Sequence, residues 1–257
     1  MHPMLSIAVR AARRAGSIIN RAALAGGVQV KSKRANDFVT EVDRSAEAAI
    51  IEIVQKSYPD HGILGEETGA IDGGKQEYRW IIDPLDGTTN FIHGFPQYCV
   101  SIGIEHRGAL AHGVVYDPIR DELFTASKGN GAFLNDRRIR VSKCSRLGDA
   151  LVGTGFPFKE LTRVDLYLKQ LRQLMEKSSG VRRAGAAALD LAYVACGRLD
   201  GFWELGLSPW DMAAGALLIQ EAGGLVGDLE GEQSFLESGD VCAAAPKLFP
   251  ALLQALR

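Results

Sequence analysis

The sequence predicts an α+β protein, and two observations indicate this class. First, apolar residues recur at three- and four-residue spacing near the N-terminus, as in an amphipathic helix. Second, residues 99–126 contain three apolar runs of strand length separated by short turns, and mixed strand and helix patterns follow them. We expect one unit of 257 residues with a soft boundary near residues 145–150. It divides the chain into two subdomains, residues 1–148 and residues 149–257.

Two helices open the chain. The first is predicted over residues 4–24 and ends at a pair of glycines. Residues 30–39 are polar and basic, which predicts a loop. Thr40 and Asp43 have the spacing of a capping box, so a second helix begins there. Pro59 ends that helix, because the residue before a proline disfavours helical geometry.

Strands follow the second helix. Residues 62–67 predict a short strand that delivers Glu66 and Glu67, and the Gly-rich residues 68–78 predict a mobile hairpin or loop. Further elements are predicted from apolar runs and their spacing. The strands lie at residues 99–106, 109–117, 122–126, 150–156, 200–205 and 241–246, and the helices at residues 164–175, 187–197, 210–224 and 247–256.

In the stretch WIIDPLDGTTNF, residues 80–91, a predicted hydrophobic strand is followed directly by two acids. A carboxylate at the end of a buried strand is costly unless it is paired or bound to a cation. Pro84 prevents the strand from continuing, so Asp83 and Asp86 can both face the inside of a turn. Gly87 lets the backbone approach a ligand closely. The stretch therefore combines two oxygen ligands suited to Mg²⁺ with a turn that can receive a phosphate.

Two other acidic positions have the same character. Glu66 and Glu67 follow an apolar strand, and Asp211 follows Trp210 in the first turn of a predicted helix. Singly, each acid is also compatible with a helix cap, a salt bridge or a solvent-exposed position. As a set beside Gly-Thr, they favour a phosphate site that binds several metal ions.

Composition excludes several other classes. The net charge of -2 gives no global attraction to nucleic acid or anionic membranes. The sequence contains no G-x-S-x-G, no P-loop motif and no H-x-x-x-H spacing. It has no apolar run of membrane-spanning length and no signal-peptide pattern, and its four cysteines form no C-x-x-C. These features predict a cytoplasmic protein with no membrane partner.

The motifs GEET, WIIDPLDGTTNF and PWDMAAG, in this order and spacing, resemble the inositol monophosphatase family. The similarity extends over nearly the whole chain, and the bacterial SuhB-type branch is the nearest likeness. The resemblance implies the layered α/β/α/β/α sandwich of the sugar-phosphatase (inositol monophosphatase/fructose-bisphosphatase) type. It also implies a lithium-sensitive phosphoric monoester hydrolase with two to three Mg²⁺ ions per subunit.

The family resemblance also implies roles for individual residues. The implied metal ligands are Glu66, Asp83, the Leu85 carbonyl, Asp86 and Asp211. Glu66 and Thr88 would orient and deprotonate the attacking water, with Asp43 behind Thr88. The implied substrate contacts are Asp86, Gly87, Thr88, Ala187 and Glu204. Either Lys31 or Lys33 would approach the mouth of the site.

One departure from the family pattern lies at Ala186, where the family commonly has Ser or Thr. The loss of a hydroxyl that could face the substrate puts the substrate preference in question. The implied substrate is myo-inositol 1-phosphate or a related polyol or sugar phosphate. The alternatives are a nucleotide 3'-phosphate or histidinol phosphate, although no clear aromatic clamp for a base is evident in the second half of the sequence.

The resemblance implies protein partners as well. Family members are usually homodimers, with residues 160–205 as the expected interface. SuhB-type proteins also act in ribosomal-RNA antitermination through RNA polymerase and elongation factors, so a mainly regulatory role is a further alternative. The exposed basic clusters, especially Arg182 and Arg183, are the candidate polymerase-binding surface. If the two functions are separable, reversing these charges should abolish polymerase binding and leave phosphatase activity.

Overall fold

The computed structural model describes residues 2–25, 30–34, 37–74, 77–158 and 161–257. The side chains of residues 30–39, including Lys31 and Lys33, lie outside the described part, so the predicted approach of one lysine stays a prediction. The helices are α1 (Pro3–Ala25), α2 (Glu41–Ser57), α3 (Thr88–Ile92), α4 (Val164–Lys177), α5 (Ala187–Ala195), α6 (Pro209–Glu221), α7 (Phe235–Ser238) and α8 (Phe249–Leu256).

The strands form a hairpin and two larger sheets. They are β1 (Val30–Arg34), β2 (Asp37–Thr40), β3 (Gly62–Gly65), β4 (Gly69–Ile71), β5 (Tyr78–Asp86), β6 (Cys99–His106), β7 (Ala109–Asp117), β8 (Glu122–Ser127), β9 (Gly131–Leu134), β10 (Arg137–Arg138), β11 (Leu151–Thr154), β12 (Gly180–Arg182), β13 (Gly201–Glu204), β14 (Leu225–Gly227) and β15 (Val241–Ala244).

The large sheet has the strand order β10-β9-β8-β7-β6-β5-β3-β4 within the described residues. Neighbouring strands are antiparallel except for β3 and β5, which run parallel. Most of its strands are consecutive in sequence and joined by short turns, which favours antiparallel pairing. The small sheet has the order β12-β11-β13-β15-β14 and mixes parallel with antiparallel pairs.

The helices α1 and α2 cover one face of the large sheet. Ala8 and Ile19 of α1 and Ile50 of α2 share a core with Trp80 and Ile102 of the sheet. The capping box predicted at the start of α2 is confirmed, because the Thr40 side chain accepts from the backbone of α2 while the Asp43 side chain accepts from the Thr40 backbone. These contacts fix the direction in which α2 leaves β2.

The helices α5 and α6 lie between the two sheets. Leu189 and Leu218 share a core with Phe124 of the large sheet and with Phe202 and Ala243 of the small sheet. The helices α4 and α8 cover the outer face of the small sheet, and their core includes Val152, Leu174, Trp203 and Leu252. The order of layers is therefore helices, sheet, helices, sheet, helices, which confirms the predicted sandwich.

Two glycines allow α6 to lie very close to the large sheet. A Cβ atom at Gly103 would stand 2.7 Å from the Cβ of Ala213, and one at Gly113 would stand 2.9 Å from the carbonyl oxygen of Ala214. Such distances are shorter than side-chain atoms tolerate, so both positions need glycine. The close approach sets the start of α6, where Asp211 lies, beside the end of β5.

The prediction of a loop over residues 30–39 is wrong, because β1 and β2 pair there as an antiparallel hairpin. The sequence of this segment lacks the apolar alternation that marks a strand, whereas backbone pairing builds the hairpin. In residues 68–78, residues 69–71 form β4 and pair with β3. The predicted mobility of this segment stays a prediction.

No helix in the described residues is both long enough and apolar enough to cross a membrane.

Candidate metal and phosphate site

The acidic stretch at the end of β5 is bent by a bulge. Asp83 pairs with Ser101 and Asp86 pairs with Cys99, so β5 has one residue more than β6 between these pairs. In a regular strand, residues three apart point to opposite faces. The extra residue, next to a proline that has no N–H to donate, removes this alternation. Asp83 and Asp86 therefore both line one cavity.

Asp211 reaches the same cavity from the start of α6. Pro209 occupies the first turn of the helix, and the Asp211 side chain accepts a hydrogen bond from the Ser208 backbone N–H at 2.7 Å. This capping arrangement fixes the carboxylate at the helix start. Asp83, Asp86 and Asp211 each offer an oxygen atom within 4.8 Å of those of the other two. Residues from two distant parts of the chain thus form one acidic cluster.

The cavity has a volume of about 360 Å³. Its walls include nearly all of the residues that the sequence analysis selected. These residues are Glu66, Asp83, Leu85, Asp86, Gly87, Thr88, Ala187, Glu204 and Asp211. Asp43 lies behind this wall, in contact with Thr88.

Burial and mutual repulsion dominate the electrostatics of the acidic cluster. Burial, reinforced by the negative charges of Glu66, Asp86 and Asp211, raises the pKa of Asp83 well above its usual range. Burial and the charge of Asp211 raise the pKa of Asp86 to about 7, although a hydrogen bond from the Ala188 N–H opposes the shift. The Ala188 nitrogen lies 2.8 Å from Asp86 Oδ2. A nearby cation would relieve this repulsion.

The donor set fits a hard divalent cation. Carboxylate and carbonyl oxygens are the ligands that Mg²⁺ prefers, and the clustered carboxylates carry negative charge that is costly to bury without a cation. Leu85, whose carbonyl was the other predicted ligand, lies on the same wall. The chemistry of the cluster thus agrees with a metal site.

Thr88 is held from behind by two acceptors. Its hydroxyl lies 2.9 Å from Asp43 Oδ1 and 3.0 Å from the Leu85 carbonyl oxygen. Asp43 also accepts from the Thr40 backbone N–H at 2.8 Å, and its burial raises its pKa. Because the single hydroxyl proton of Thr88 points toward these acceptors, the lone pairs of its oxygen are available to the cavity.

Glu47 is a positioning residue that the sequence analysis missed. It is fully buried on α2, and its carboxylate accepts from the backbone N–H groups of Glu67 at 3.0 Å and Thr68 at 2.8 Å. The Glu66 N–H donates to the Ile82 carbonyl at 3.1 Å. These bonds hold the turn that carries Glu66 beside Asp83. A detectable signal was an acid four residues after Asp43, next to the apolar stripe of α2.

The opposite side of the cavity mouth is aromatic and basic. Phe156, Pro157, Phe158, Arg163 and Arg183 line it. The sequence analysis saw no clear aromatic clamp in the second half of the chain, and the two rings in the lining, which follow β11, stand edge-on to each other at 83°. Of the two basic residues selected as a candidate polymerase-binding surface, Arg183 lines this cavity, whereas Arg182 is exposed and absent from the described lining.

Glu204 and Asp190 add two acids beneath this mouth. Burial raises the pKa of both well above the usual range, and Arg183 partly opposes the rise. A Cβ atom at Gly155 would collide with the Glu204 carboxylate, so glycine is required for Glu204 to occupy its place. Asp190 was not selected from the sequence, where it appears as one acid in an apolar helix.

Ala186 occupies the N-cap position of α5. It is buried, and among the described residues it is not part of the cavity lining. Its methyl group lies beside Gly87, at 3.2 Å from where a Cβ of Gly87 would stand. Whether a hydroxyl at this position would face the substrate stays a prediction, since the residue lies at the start of the helix next to lining residues on both sides.

Comparisons with known proteins agree with the fold. The family model described as the inositol monophosphatase family matches residues 1–257, and the chain belongs to this family. It is 55% identical to "Nus factor SuhB" from Pseudomonas aeruginosa over 262 residues, covering 100% of this chain and 97% of that relative.

Solved structures show the same similarity. The crystal structure of extragenic suppressor protein suhB from Bartonella henselae has a TM-score of 0.97 and 46% identity, covering 100% of this chain and 99% of that chain. The structure of inositol monophosphatase from Anabaena has a TM-score of 0.85 and 40% identity, and the match covers 98% of this chain and 94% of that chain. This chain is thus a member of the inositol monophosphatase family, and the relatives similar to it include a protein named "Nus factor SuhB".

Proposed function

We propose that this protein is a Mg²⁺-dependent phosphomonoesterase that hydrolyses myo-inositol 1-phosphate and related polyol or sugar phosphates. The observation that carries the proposal is the meeting of Asp83, Asp86 and Asp211 within 4.8 Å, in a cavity that Glu66 and Thr88 also line. Oxygen ligands beside a polar turn suit a dianionic phosphate that must be held with its charge neutralised.

Two to three Mg²⁺ ions per subunit would be held by Glu66, Asp83, the Leu85 carbonyl, Asp86 and Asp211. Bound there, Mg²⁺ supplies positive charge to the phosphoryl oxygens and the leaving alkoxide, and acidifies water. The protein supplies the positions of these charges, since phosphoryl transfer depends mainly on positioning and electrostatics.

Glu66 and Thr88 would orient and deprotonate the attacking water. The Thr88 hydroxyl donates its proton toward Asp43, which leaves its oxygen free to accept a hydrogen bond from the water. Glu66 would accept one proton from the water as the water oxygen bonds to phosphorus, the bond from phosphorus to the alcohol oxygen breaks in line, and the leaving alkoxide takes up a proton from solvent. No covalent phospho-enzyme is needed, since water reaches phosphorus directly.

The substrate would be held from two sides of the cavity. The backbone amides of Gly87 and Thr88 bind phosphate oxygens, with Asp86 alongside them. Glu204 and Ala187 line the same cavity, and the Glu204 side chain and the backbone of Ala187 would contact the hydroxyl groups of the polyol. This division places the phosphate at the acidic cluster and the alcohol toward the mouth.

A phosphate-release assay with and without Mg²⁺ tests the proposal. Wild type and Asp83→Asn are compared on inositol 1-phosphate, a nucleoside 3'-phosphate and histidinol phosphate, the last two being the alternative substrates. We expect Mg²⁺-dependent release with inositol 1-phosphate as the preferred substrate, and a loss on the order of 1000-fold in Asp83→Asn. Activity that survives the substitution, or that needs no divalent cation, would contradict the proposal.

A regulatory function is the second candidate, and it rests on the Nus-factor name of the Pseudomonas relative that covers the whole chain. In this function the protein would bind RNA polymerase and elongation factors in ribosomal-RNA antitermination. Arg182 is the better surface residue to test, because Arg183 lines the cavity. Arg182→Glu should weaken binding to purified RNA polymerase and leave phosphate release unchanged, and unaltered polymerase binding would remove Arg182 from this role.

A homodimer with an interface in residues 160–205 is part of the proposal. Apolar side chains on the outer side of this region support it, since Leu161, Leu168 and Met175 are 66%, 52% and 68% exposed. Contiguous exposed apolar groups commonly mark protein interfaces. Light scattering should give twice the monomer mass, and Leu168→Glu should reduce it to the monomer.

We also propose that residues 1–148 and residues 149–257 are two subdomains of one phosphatase unit.

We further propose, from the family resemblance, that lithium inhibits the phosphatase activity. Activity at saturating Mg²⁺ should fall as the Li⁺ concentration rises, and an activity that does not change with Li⁺ concentration would contradict lithium inhibition.

A further inference from the structure

A second cavity is separate from the acidic cluster. It has a volume of about 540 Å³, and none of its described lining residues belongs to the described lining of the first cavity. His2 and Leu5 form one wall at the start of α1, and residues of β7, β8 and β9 line the cavity from the large sheet. Its volume is within the usual range of small-molecule sites, so a small ligand fits it.

Three polar side chains of the sheet are buried in the lining of the second cavity. Thr125, Ser127 and His112 are 5%, 7% and 8% exposed. His112 Nδ1 lies 2.8 Å from Ser127 Oγ, and its Nε2 has no hydrogen-bond partner within the described residues. The Thr125 hydroxyl likewise has none in the part of the chain that the structure describes. Buried polar atoms without partners cost free energy, so a ligand that supplies these hydrogen bonds would gain affinity.

Aromatic rings form another part of the lining. The His2 ring stacks on His112 with 4.3 Å between centroids and an interplanar angle of 27°. Phe133 on β9 is partly exposed and lines the same cavity. The negative face of an aromatic ring attracts C–H groups. The cavity therefore suits a ligand that presents hydroxyl groups at its edge and C–H groups on its face, as a ring polyol does.

The charges of the lining disfavour an anion. Asp136 contributes a carboxylate, and the described lining contains no lysine or arginine. Burial and the neighbouring His2 lower the pKa of His112 to about 4, so its ring is neutral at pH 7. A phosphate group in this cavity would meet a negative charge and no cation to offset its loss of water. The buried polar groups are all neutral, which favours a neutral ligand.

We propose that the second cavity is a binding site for a neutral ring polyol, either a cyclitol or a monosaccharide. Hydroxyl groups of the ligand would form hydrogen bonds with Thr125, Ser127 and Nε2 of His112, and its C–H groups would pack on Phe133. Because this cavity is separate from the acidic cluster, the inference does not depend on the proposed phosphatase function.

Four variants test the site. Thr125→Val removes the hydroxyl and keeps the shape of the side chain, whereas Thr125→Ser is the matched control that keeps the hydroxyl. Phe133→Leu removes the ring. Glu204→Gln is the control for binding in the first cavity, where Glu204 is the proposed polyol contact. Each full-length protein, in the presence of Mg²⁺, is titrated with myo-inositol and with D-glucose, and the Kd is measured by saturation-transfer NMR.

We expect wild type to bind at least one of the two polyols, and Thr125→Val to raise its Kd about fivefold, the size expected for one lost hydrogen bond. Phe133→Leu should also raise the Kd, whereas Thr125→Ser and Glu204→Gln should keep the wild-type value. No binding by wild type, or an unchanged Kd in Thr125→Val, would overturn the site. A Kd raised only in Glu204→Gln would assign the polyol to the first cavity and would also overturn it.

A measurement on wild type alone locates the bound polyol without any variant. In amide NMR spectra, the polyol should shift the backbone signals of Thr125, Ser127 and Gly131 and leave those of Gly87 and Thr88 unchanged. Shifts confined to Gly87 and Thr88 would overturn the site. Wild type that shows the expected shifts but releases no phosphate from any ester would overturn the proposed function and leave this inference standing.

Discussion

The two sides of the cavity differ in how the chain builds them. On the acidic side, one bulged strand supplies Asp83 and Asp86, and backbone bonds to Asp86 and Asp211 fix the carboxylates. On the mouth side, Phe156 and Arg183 come from separate segments and meet through side-chain contacts. Carboxylates that are held by backbone hydrogen bonds suit a reaction that needs fixed geometry. Side chains that are held by contacts with one another suit a surface that selects the alcohol part of the substrate.

This comparison makes a general prediction about substitutions. Changes on the acidic side should lower turnover of every phosphate ester by a similar factor. Changes at the mouth should alter the ratio between substrates and leave the reaction itself intact.

Asp211→Asn should cause the largest loss. The amide keeps a hydrogen-bond acceptor for the Ser208 N–H, so the start of α6 should survive, but the negative charge facing Asp83 and Asp86 is lost. We expect kcat to fall on the order of 1000-fold on all substrates. A loss of activity on only one substrate would indicate that Asp211 acts in substrate selection and not in the reaction itself.

Thr88→Val should lower kcat by roughly 100-fold, which is the lower range for removing a group that participates in proton transfer. Valine has nearly the same shape and removes the hydroxyl that lies 2.9 Å from Asp43. Thr88→Ser is the matched control and should retain most activity. Equal activity of the valine and serine variants would show that the hydroxyl takes no part.

Glu47→Gln should weaken Mg²⁺ activation by about tenfold or more, as losses of supporting groups around metal ligands commonly do. The amide can accept only one of the two backbone bonds that Glu47 now accepts, so the turn carrying Glu66 would loosen. The Mg²⁺ concentration for half-maximal activity should rise, whereas kcat at saturating Mg²⁺ should change little. A fall in kcat with unchanged Mg²⁺ dependence would contradict this positioning role.

The smallest expected effect is on stability without metal. The pKa of Asp86 is raised to about 7 in the folded protein, so its contribution to stability is present below about pH 4 and is lost as the pH rises through about 7. The midpoint of thermal unfolding in EDTA should therefore fall more between pH 5 and pH 8 for wild type than for Asp86→Asn. We expect a difference of about 3 °C or more. Parallel pH profiles would contradict the raised pKa.

The acidic side was largely predictable from the sequence. Asp83, Asp86 and Gly87 are close together, and proline and glycine restrict how the chain can turn there. Asp211 was recognisable because PWDMAAG combines a helix start with an acid. The layered sandwich followed from the family resemblance, since periodicity alone predicted only the α+β class.

The mouth was not predictable in the same way. Phe156 and Arg183 are 27 positions apart, and no local pattern indicates that they meet. Glu47 was missed because its function is to accept backbone hydrogen bonds from a turn twenty residues later. The β1–β2 hairpin was missed because backbone pairing rather than an apolar pattern defines it.

The most direct test of the central claim is a calorimetric titration of metal-free protein with Mg²⁺, comparing wild type with Asp83→Asn and Asp211→Asn. These two residues come from opposite halves of the chain, and in the proposed site both hold the same ions. We predict that wild type binds Mg²⁺ and that each variant binds at least about tenfold more weakly. Wild-type affinity in both variants would contradict the account, because the acidic cluster would then not be a metal site.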